Sequence, residues 1–465
     1  MAVALERLSV REKMGYGIGD AAANFIFQAM LVFQLAFYTD TFGISAAQAG
    51  TLFLVVRVFD AVFDPMMGVV ADRTNTRWGK FRPWVLWTAV PFGIMGFLTF
   101  TTPALTGSAK LVYAYVTYTV LMMVYSMNNL PYSALSGVIT GNLVERTSLS
   151  SYRFVFAMSA AFLIQGLSLP MVQFFGHGDT AKGYQYTMGI FSLLAVIFFF
   201  ITFATTRERV RPDPAQQTSI RQDFADLASN GPWLAIFALT IFVFVTLSMR
   251  GGVMLYYFKY YQLREDLFSI FNVCGLGATI VGVMLSSKQA TKHGKRAVFT
   301  WGLAGTIVFT AAFVFIPKGA ITAVFITEML RQFAYGFTIP LLWAMMADVA
   351  DYSEWKNYRR ATAIVFSAIV FGLKAGLGFG GAIGGWILSA HGYVPNVAQS
   401  ASALEGIRLT VSLYPAATFT IALGCLYFYK IDKKAELQIT DDLAARRLHA
   451  PQGAAGGGGA GEASA

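Results

Sequence analysis

Apolar runs of about 20 residues recur from one end of this chain to the other, each long enough to cross a hydrocarbon core of about 30 Å as a helix. They fall near residues 14–40, 46–72, 83–103, 110–140, 152–176 and 184–206, and then near 231–261, 266–288, 297–316, 319–349, 362–391 and 405–429. The pattern predicts an all-α membrane protein of twelve transmembrane helices in two six-helix halves, 1–206 and 231–430. The polar break between them, 207–230, holds Pro212, Pro214, glutamines and mixed charges, and reads as a cytoplasmic linker. The tail, 431–465, ends in an Ala- and Gly-rich stretch from Ala450 onward and is expected to be largely disordered.

Composition agrees with lipid as the solvent. Hydrophobic residues make up 56% of the 465 and charged residues 13%, roughly half the charged share of a soluble domain. A net charge of +10 would suit a nucleic-acid partner, but its placement points to a bilayer instead. Arg7, Arg11 and Lys13 precede the first run, Arg73, Arg77, Lys80 and Arg82 follow the second, and Lys288, Lys292, Lys295 and Arg296 follow the eighth. These segments share one side, so the positive-inside rule places both termini in the cytoplasm. The polar start, MAVALERLSVREK, lacks an apolar core followed by a small-residue cleavage site, so no removable signal peptide is expected. Cys274 and Cys425 lie in apolar segments and the four histidines are scattered, which suggests neither a disulfide framework nor a metal centre.

The two halves echo each other. Gly68 to Lys80, with Asp72, Arg73, Arg77 and Gly79, is matched by Gly282 to Arg296, with Lys288, Lys292 and Gly294. In both copies a small residue ends an apolar run and a Gly-basic turn opens the next. Such duplication is the mark of a transporter whose halves rock about a central site, as in the major facilitator fold.

An ionisable side chain deep in a span costs at least about 2.5 kcal/mol, so each needs a functional or pairing explanation. Arg57, Asp60 and Asp64 are spaced three and four apart and share one helix face. Two carboxylates one turn apart repel when ionised, and a small cation between them, sodium or a proton, would relieve this. Pro65 cannot donate one turn back, which frees a backbone oxygen near Ala61. Alternatively, Arg57 simply neutralises one aspartate. The fourth run supplies Tyr125, Ser126, Asn128, Asn129, Tyr132 and Ser133, candidate ligands for a cation or for sugar hydroxyls, or interhelical glue. Asp20 and Asn24 sit one turn apart in the first run, and Arg153 near the entrance of the fifth. Glu328 and Arg331 are spaced to pair with each other. Lys374 interrupts a small-residue stretch and must face the interior, as a candidate for the central cavity; Trp343 could stack on a sugar ring. No nucleophile with an oriented base accompanies these groups, so an enzyme is not expected.

The runs Tyr16-Gly-Ile-Gly-Asp20, Phe37-Tyr-Thr-Asp40 and Gly50 to Gly68, with Arg77-Trp-Gly-Lys-Phe-Arg-Pro-Trp84 and Ala347-Asp348-Val-Ala-Asp351-Tyr-Ser-Glu354-Trp, resemble the glycoside-pentoside-hexuronide:cation symporters, the melibiose permease group. The resemblance implies a major facilitator fold in a bacterial cytoplasmic membrane, importing a sugar or glycoside with sodium, lithium or protons and needing no other cofactor. It assigns the cation to Asp60 and Asp64, metal ligands if the cation is sodium, with the hydroxyl of Ser126; Asn129 joins the candidate cation ligands through the reading of the fourth run. For sugar contacts it implies Asn24, Asn129 and Arg153, and the reading of the residues themselves adds Asp20, Asn128, Tyr132, Trp343 and Lys374 as candidates. Asn24 and Asn129 stand where the melibiose protein has carboxylates, and Phe63 where it has an amide, which thins the oxygen shell and tilts the expectation towards a proton. The alternatives are a carrier of a lipid-like amphiphile such as a lysophospholipid, or a non-transporting membrane sensor.

Overall fold

In the computed structural model, which describes residues 7–140, 142–210, 230–357 and 362–449, the chain is helical almost throughout. Helix α1 (Val10–Val32) is capped by Ser9, whose hydroxyl accepts from the Glu12 N–H at 3.2 Å. It breaks at Phe33 and resumes as Gln34–Ala36 and a π-turn over Phe37–Phe42, with a 58° bend. Helix α2 (Ala46–Arg73) opens on a capping box in which Ser45 and Gln48 satisfy each other's backbone N–H groups. Then come α3 (Arg82–Thr99), α4 (Gly107–Ile139), α5 (Leu143–Gly176) and α6 (Thr180–Thr205). The second series is α7 (Gly231–Tyr256), α8 (Phe268–His293), α9 (Lys295–Ala312), α10 (Ile321–Gly336, resuming as Thr338–Asn357), α11 (Thr362–Ala390) and α12 (Ala401–Val411, resuming as Leu413–Tyr427).

Among the described residues, 8 helices are long and apolar enough to cross a membrane, or 9 if bent α1 counts as one span. Helices α2 to α4 stand outside that number: α2 carries Arg57, Asp60 and Asp64, α3 opens on Arg82 and Pro83 and carries a second proline, Pro91, and α4 carries its polar patch. Within the first series α1 packs on α5 and α6, and α3 on α4 and α6; within the second, α7 packs on α11 and α12, and α10 on α8 and α9. The series meet chiefly along α2 and α11, with α5 against α8.

One expectation is corrected. The tail was expected to be largely disordered from 431, yet Lys433–His449 forms a further helix, α13. Ile439 and Leu443, one turn apart, are buried, and Trp355 Nε1 donates to Asp442 at 2.8 Å, fastening α13 to α10. The stretch from Ala450 lies outside the described residues, as does most of the 207–230 break. The first residues of that break are docked on the first series. The backbone N–H groups of Arg209 and Val210 donate to the Val138 carbonyl, and the Glu208 carboxylate accepts from Lys80, Phe81 and Arg82, each at 2.8 Å, capping α3.

Candidate functional site at the meeting of the two halves

Three acidic or basic groups of α2 point inward as their spacing requires. Asp60 is buried, and the Ser126 hydroxyl of α4 donates to its Oδ1 at 2.8 Å. Arg57 Nη1 stands 3.6 Å from Asp60 Oδ2. From α11, Lys374 Nζ donates to Asp64 and lies 3.2 Å from both Asp60 Oδ2 and Ser126 Oγ. Two carboxylates are thus matched by two cations of the protein itself, and the repulsion between them is relieved without a bound ion. Lys374, expected among the sugar ligands, stands at the carboxylate pair. Glycines bring it there: a Cβ on Gly378 would lie 2.6 Å from the Arg57 Cβ, and one on Gly385 would lie 2.4 Å from the Ala46 carbonyl. With no side chain at these positions, α11 lies directly on α2.

A second pair lies along α1 and α5. Arg153 Nε is 3.1 Å from Asp20 Oδ2, and its guanidinium sits 5.2 Å over the Tyr132 ring. Tyr132 is fully buried, stacked on Tyr16, with its hydroxyl given to the Tyr16 carbonyl at 2.5 Å. Its ring supports Arg153 and its hydroxyl hydrogen is engaged within the first half. Asn24 donates to the Asp20 carbonyl at 2.8 Å. Asn128, expected at the site, is buried on another face and donates to Thr88 of α3 at 2.8 Å. Asn129 is partly buried and makes no hydrogen bond among the described residues, so nothing joins it to the carboxylates. Trp343 is 40% exposed and, among the described residues, makes no side-chain hydrogen bond, ring contact or cation–π contact with either pair.

Two clusters were not anticipated. One closes the end where α1 stops. Asp40 accepts from Lys259 Nζ at 2.5 Å, from the Tyr260 hydroxyl at 2.7 Å and from the Tyr393 hydroxyl. Burial pushes Tyr393 up, so its hydroxyl stays a donor. Thr39 and Tyr256 share a hydrogen bond of 2.6 Å, and Trp386 donates to Thr51 at 3.1 Å. All of these join the two halves. At the opposite, basic end the ion pairs stay within a half: Glu12 with Arg209, Lys13 with Glu145, Asp72 with Lys80, and Lys295 with Asp348 and Glu436. The bonds that join the halves at the Asp40 end have no counterpart among these ion pairs of the basic end. The second cluster joins Glu328 to Arg331, as the spacing predicted, but also to Arg250 of α7 at 2.7 Å. Arg250 was legible as a charge within an apolar run.

Comparison with known proteins follows this geometry. Residues 15–433 match the family described as MFS/sugar transport protein. The chain is similar to the inner membrane symporter YicJ of Escherichia coli (strain K12), 39% identical over 90% of this chain and 91% of that one. It is also similar to the isoprimeverose transporter of Lactiplantibacillus pentosus, 36% identical over 92% and 90%. In fold it resembles a bacterial homologue of the human lysosomal transporter Spinster, solved inward-facing and occupied, with a TM-score of 0.65 at 14% identity over 92% of this chain and 97% of that one. The chain belongs to the MFS/sugar transport family, as a symporter of the glycoside-pentoside-hexuronide type, and is a multi-pass membrane transporter rather than an enzyme.

Proposed function

We propose that this chain spans a bacterial cytoplasmic membrane twelve times, with both termini in the cytoplasm, and imports a sugar or glycoside together with a proton by alternating access. The observation that carries this reading is the contact of Lys374 in the second half with Asp60, Asp64 and Ser126 in the first. It is an ion-pair cluster that spans the two moving bodies. The names of the relatives, a symporter and an isoprimeverose transporter, support the coupling and the sugar.

With the basic loops in the cytoplasm, the Asp40 end is periplasmic and the conformation faces inward. Lys374 then acts as a tethered cation that holds α11 to α2. A proton arriving on Asp64, whose Oδ1 is buried without a hydrogen-bond partner, removes one of the two charges that hold the amine. The α2–α11 contact weakens and the halves become free to exchange conformations. Sodium would have to displace the amine and gather several oxygens at once. The cluster offers those of Asp60, Asp64 and Ser126, while Phe63 offers none. Asp20 and Arg153 face the sugar in this scheme.

The test is uptake of labelled glycosides, pentosides and hexuronides into proteoliposomes under imposed proton or sodium gradients. Accumulation of one class under an inward proton gradient is expected. Failure of every sugar to enter under any gradient would overturn the reading.

A further inference from the structure

Within the spans, most charges cancel locally: Asp20 against Arg153, Asp40 against Lys259, and Asp60 and Asp64 against Arg57 and Lys374. The cluster of α7 and α10 does not. Glu328 is shared by Arg250, through contacts of 2.7 and 3.4 Å, and by Arg331, through contacts of 2.5 and 2.9 Å. All three side chains are buried, at 8%, 3% and 4% exposure for Arg250, Glu328 and Arg331. Among the described residues no second acid contacts either arginine, so one unit of positive charge is left over. Leaving a buried charge without a counter-charge in a membrane is costly, and such a charge marks a site where a counter-charge arrives.

The same three residues line a cavity of about 220 Å³ that the first half completes with Leu31 and Val32 of α1 and Gln165 of α5. Its polar lining is rich in unspent donors. Arg331 gives Nε and Nη2 to Glu328, and Nη1 makes no hydrogen bond. Asn272 Nδ2 is buried without a partner. The Gln332 carbonyl lies 3.1 Å from the Thr279 hydroxyl, and its amide nitrogen is unengaged. Convergent N–H groups beside an unbalanced guanidinium form a receptor for an oxyanion. Arg250 is held differently, by the Val411 carbonyl at 3.0 Å and by stacking 4.8 Å over the Phe313 ring, so it serves as a fixed source of charge.

We propose that this cavity is an anion subsite, and that the transported molecule carries a carboxylate which Arg331, Asn272 and Gln332 bind. The substrate is then an acidic sugar or glycoside rather than a neutral one. This rests on the sugar-symport reading and narrows it.

Binding by the purified protein in nanodiscs, measured calorimetrically in low-salt buffer, tests the subsite apart from transport. The probes are methyl glucuronide and methyl glucoside, which differ by a carboxylate in place of a hydroxymethyl group. The glucuronide is expected to bind at least about tenfold more tightly. Arg331→Gln should erase that preference, and Asn272→Ala should reduce it without touching the charge cluster, which keeps the test sharp should Arg331→Gln fail to fold. Equal affinity for the two probes, or a preference unaltered in a folded Arg331→Gln and in Asn272→Ala, overturns the subsite. Tight binding and uptake of the glucoside alone also overturns it while leaving sugar symport standing. Absence of binding by either probe, with no uptake of any sugar, removes both readings.

Discussion

Asp40→Asn removes one negative charge from the latch at the periplasmic end while preserving shape and one acceptor. Three contacts across the halves lose their charge assistance: Lys259 at 2.5 Å, Tyr260 at 2.7 Å and Tyr393. A hydrogen bond to a charged group contributes about 1 kcal/mol more than a neutral one. The Lys259 side chain is 26% exposed, so its share is reduced by solvent screening. Together these give about 2–3 kcal/mol, or a shift of about 30- to 150-fold in the equilibrium between the latched and unlatched states. Only the latched state loses these bonds, so the loss appears as a change of conformation rather than of folding. Spin labels at Ser108 and Ser402, exposed and on opposite halves at this end, report it by electron–electron double resonance. The substitution should move population from the short to the long distance, with melting temperature little changed. An unchanged distance distribution in a folded Asp40→Asn protein would refute the latch.

Other consequences are open to direct measurement. Gly385→Ala puts a methyl group against the Ala46 carbonyl, and overpacking of about 1–3 kcal/mol should likewise open the α2–α11 seam, seen as faster modification of a cysteine at Thr51. Lys374→Met leaves Asp60 and Asp64 with Arg57 alone, so sugar exchange should persist while concentrative uptake falls and the apparent affinity for the coupling cation rises. Glu208→Gln weakens the cap on three N–H groups of α3 and should cost about 1–2 kcal/mol, seen as a lower melting temperature without loss of coupling.

The sequence showed which residues could share the site more readily than which of them meet. Arg57, Asp60 and Asp64 lie on one helix, so their common face follows from spacing alone. The partner that balances them, Lys374, is 310 positions from Asp64, and no local rule brings α11 onto α2; only the glycines between Gly372 and Gly385 hinted at a close approach. The polar patch of α4 misled because its residues were taken together. A helix turns about 100° per residue, so Asn128 cannot share the Ser126 face and turns to Thr88 instead. The tail failed for a different reason. Its polar composition concealed Ile439 and Leu443, whose spacing is that of a helix with one narrow buried stripe. Arg250 was visible as a charge in an apolar run, but its role depends on sharing Glu328 with Arg331, which needs α7 and α10 side by side.

The coupling role of the Asp60, Asp64 and Lys374 cluster is tested most directly by following the pH of an unbuffered, sodium-free suspension of cells as sugar is added. Wild-type protein should alkalinise the medium in step with sugar entry, and Asp60→Asn and Asp64→Asn should each abolish that signal while still exchanging sugar. Alkalinisation and full accumulation in both variants would contradict the account.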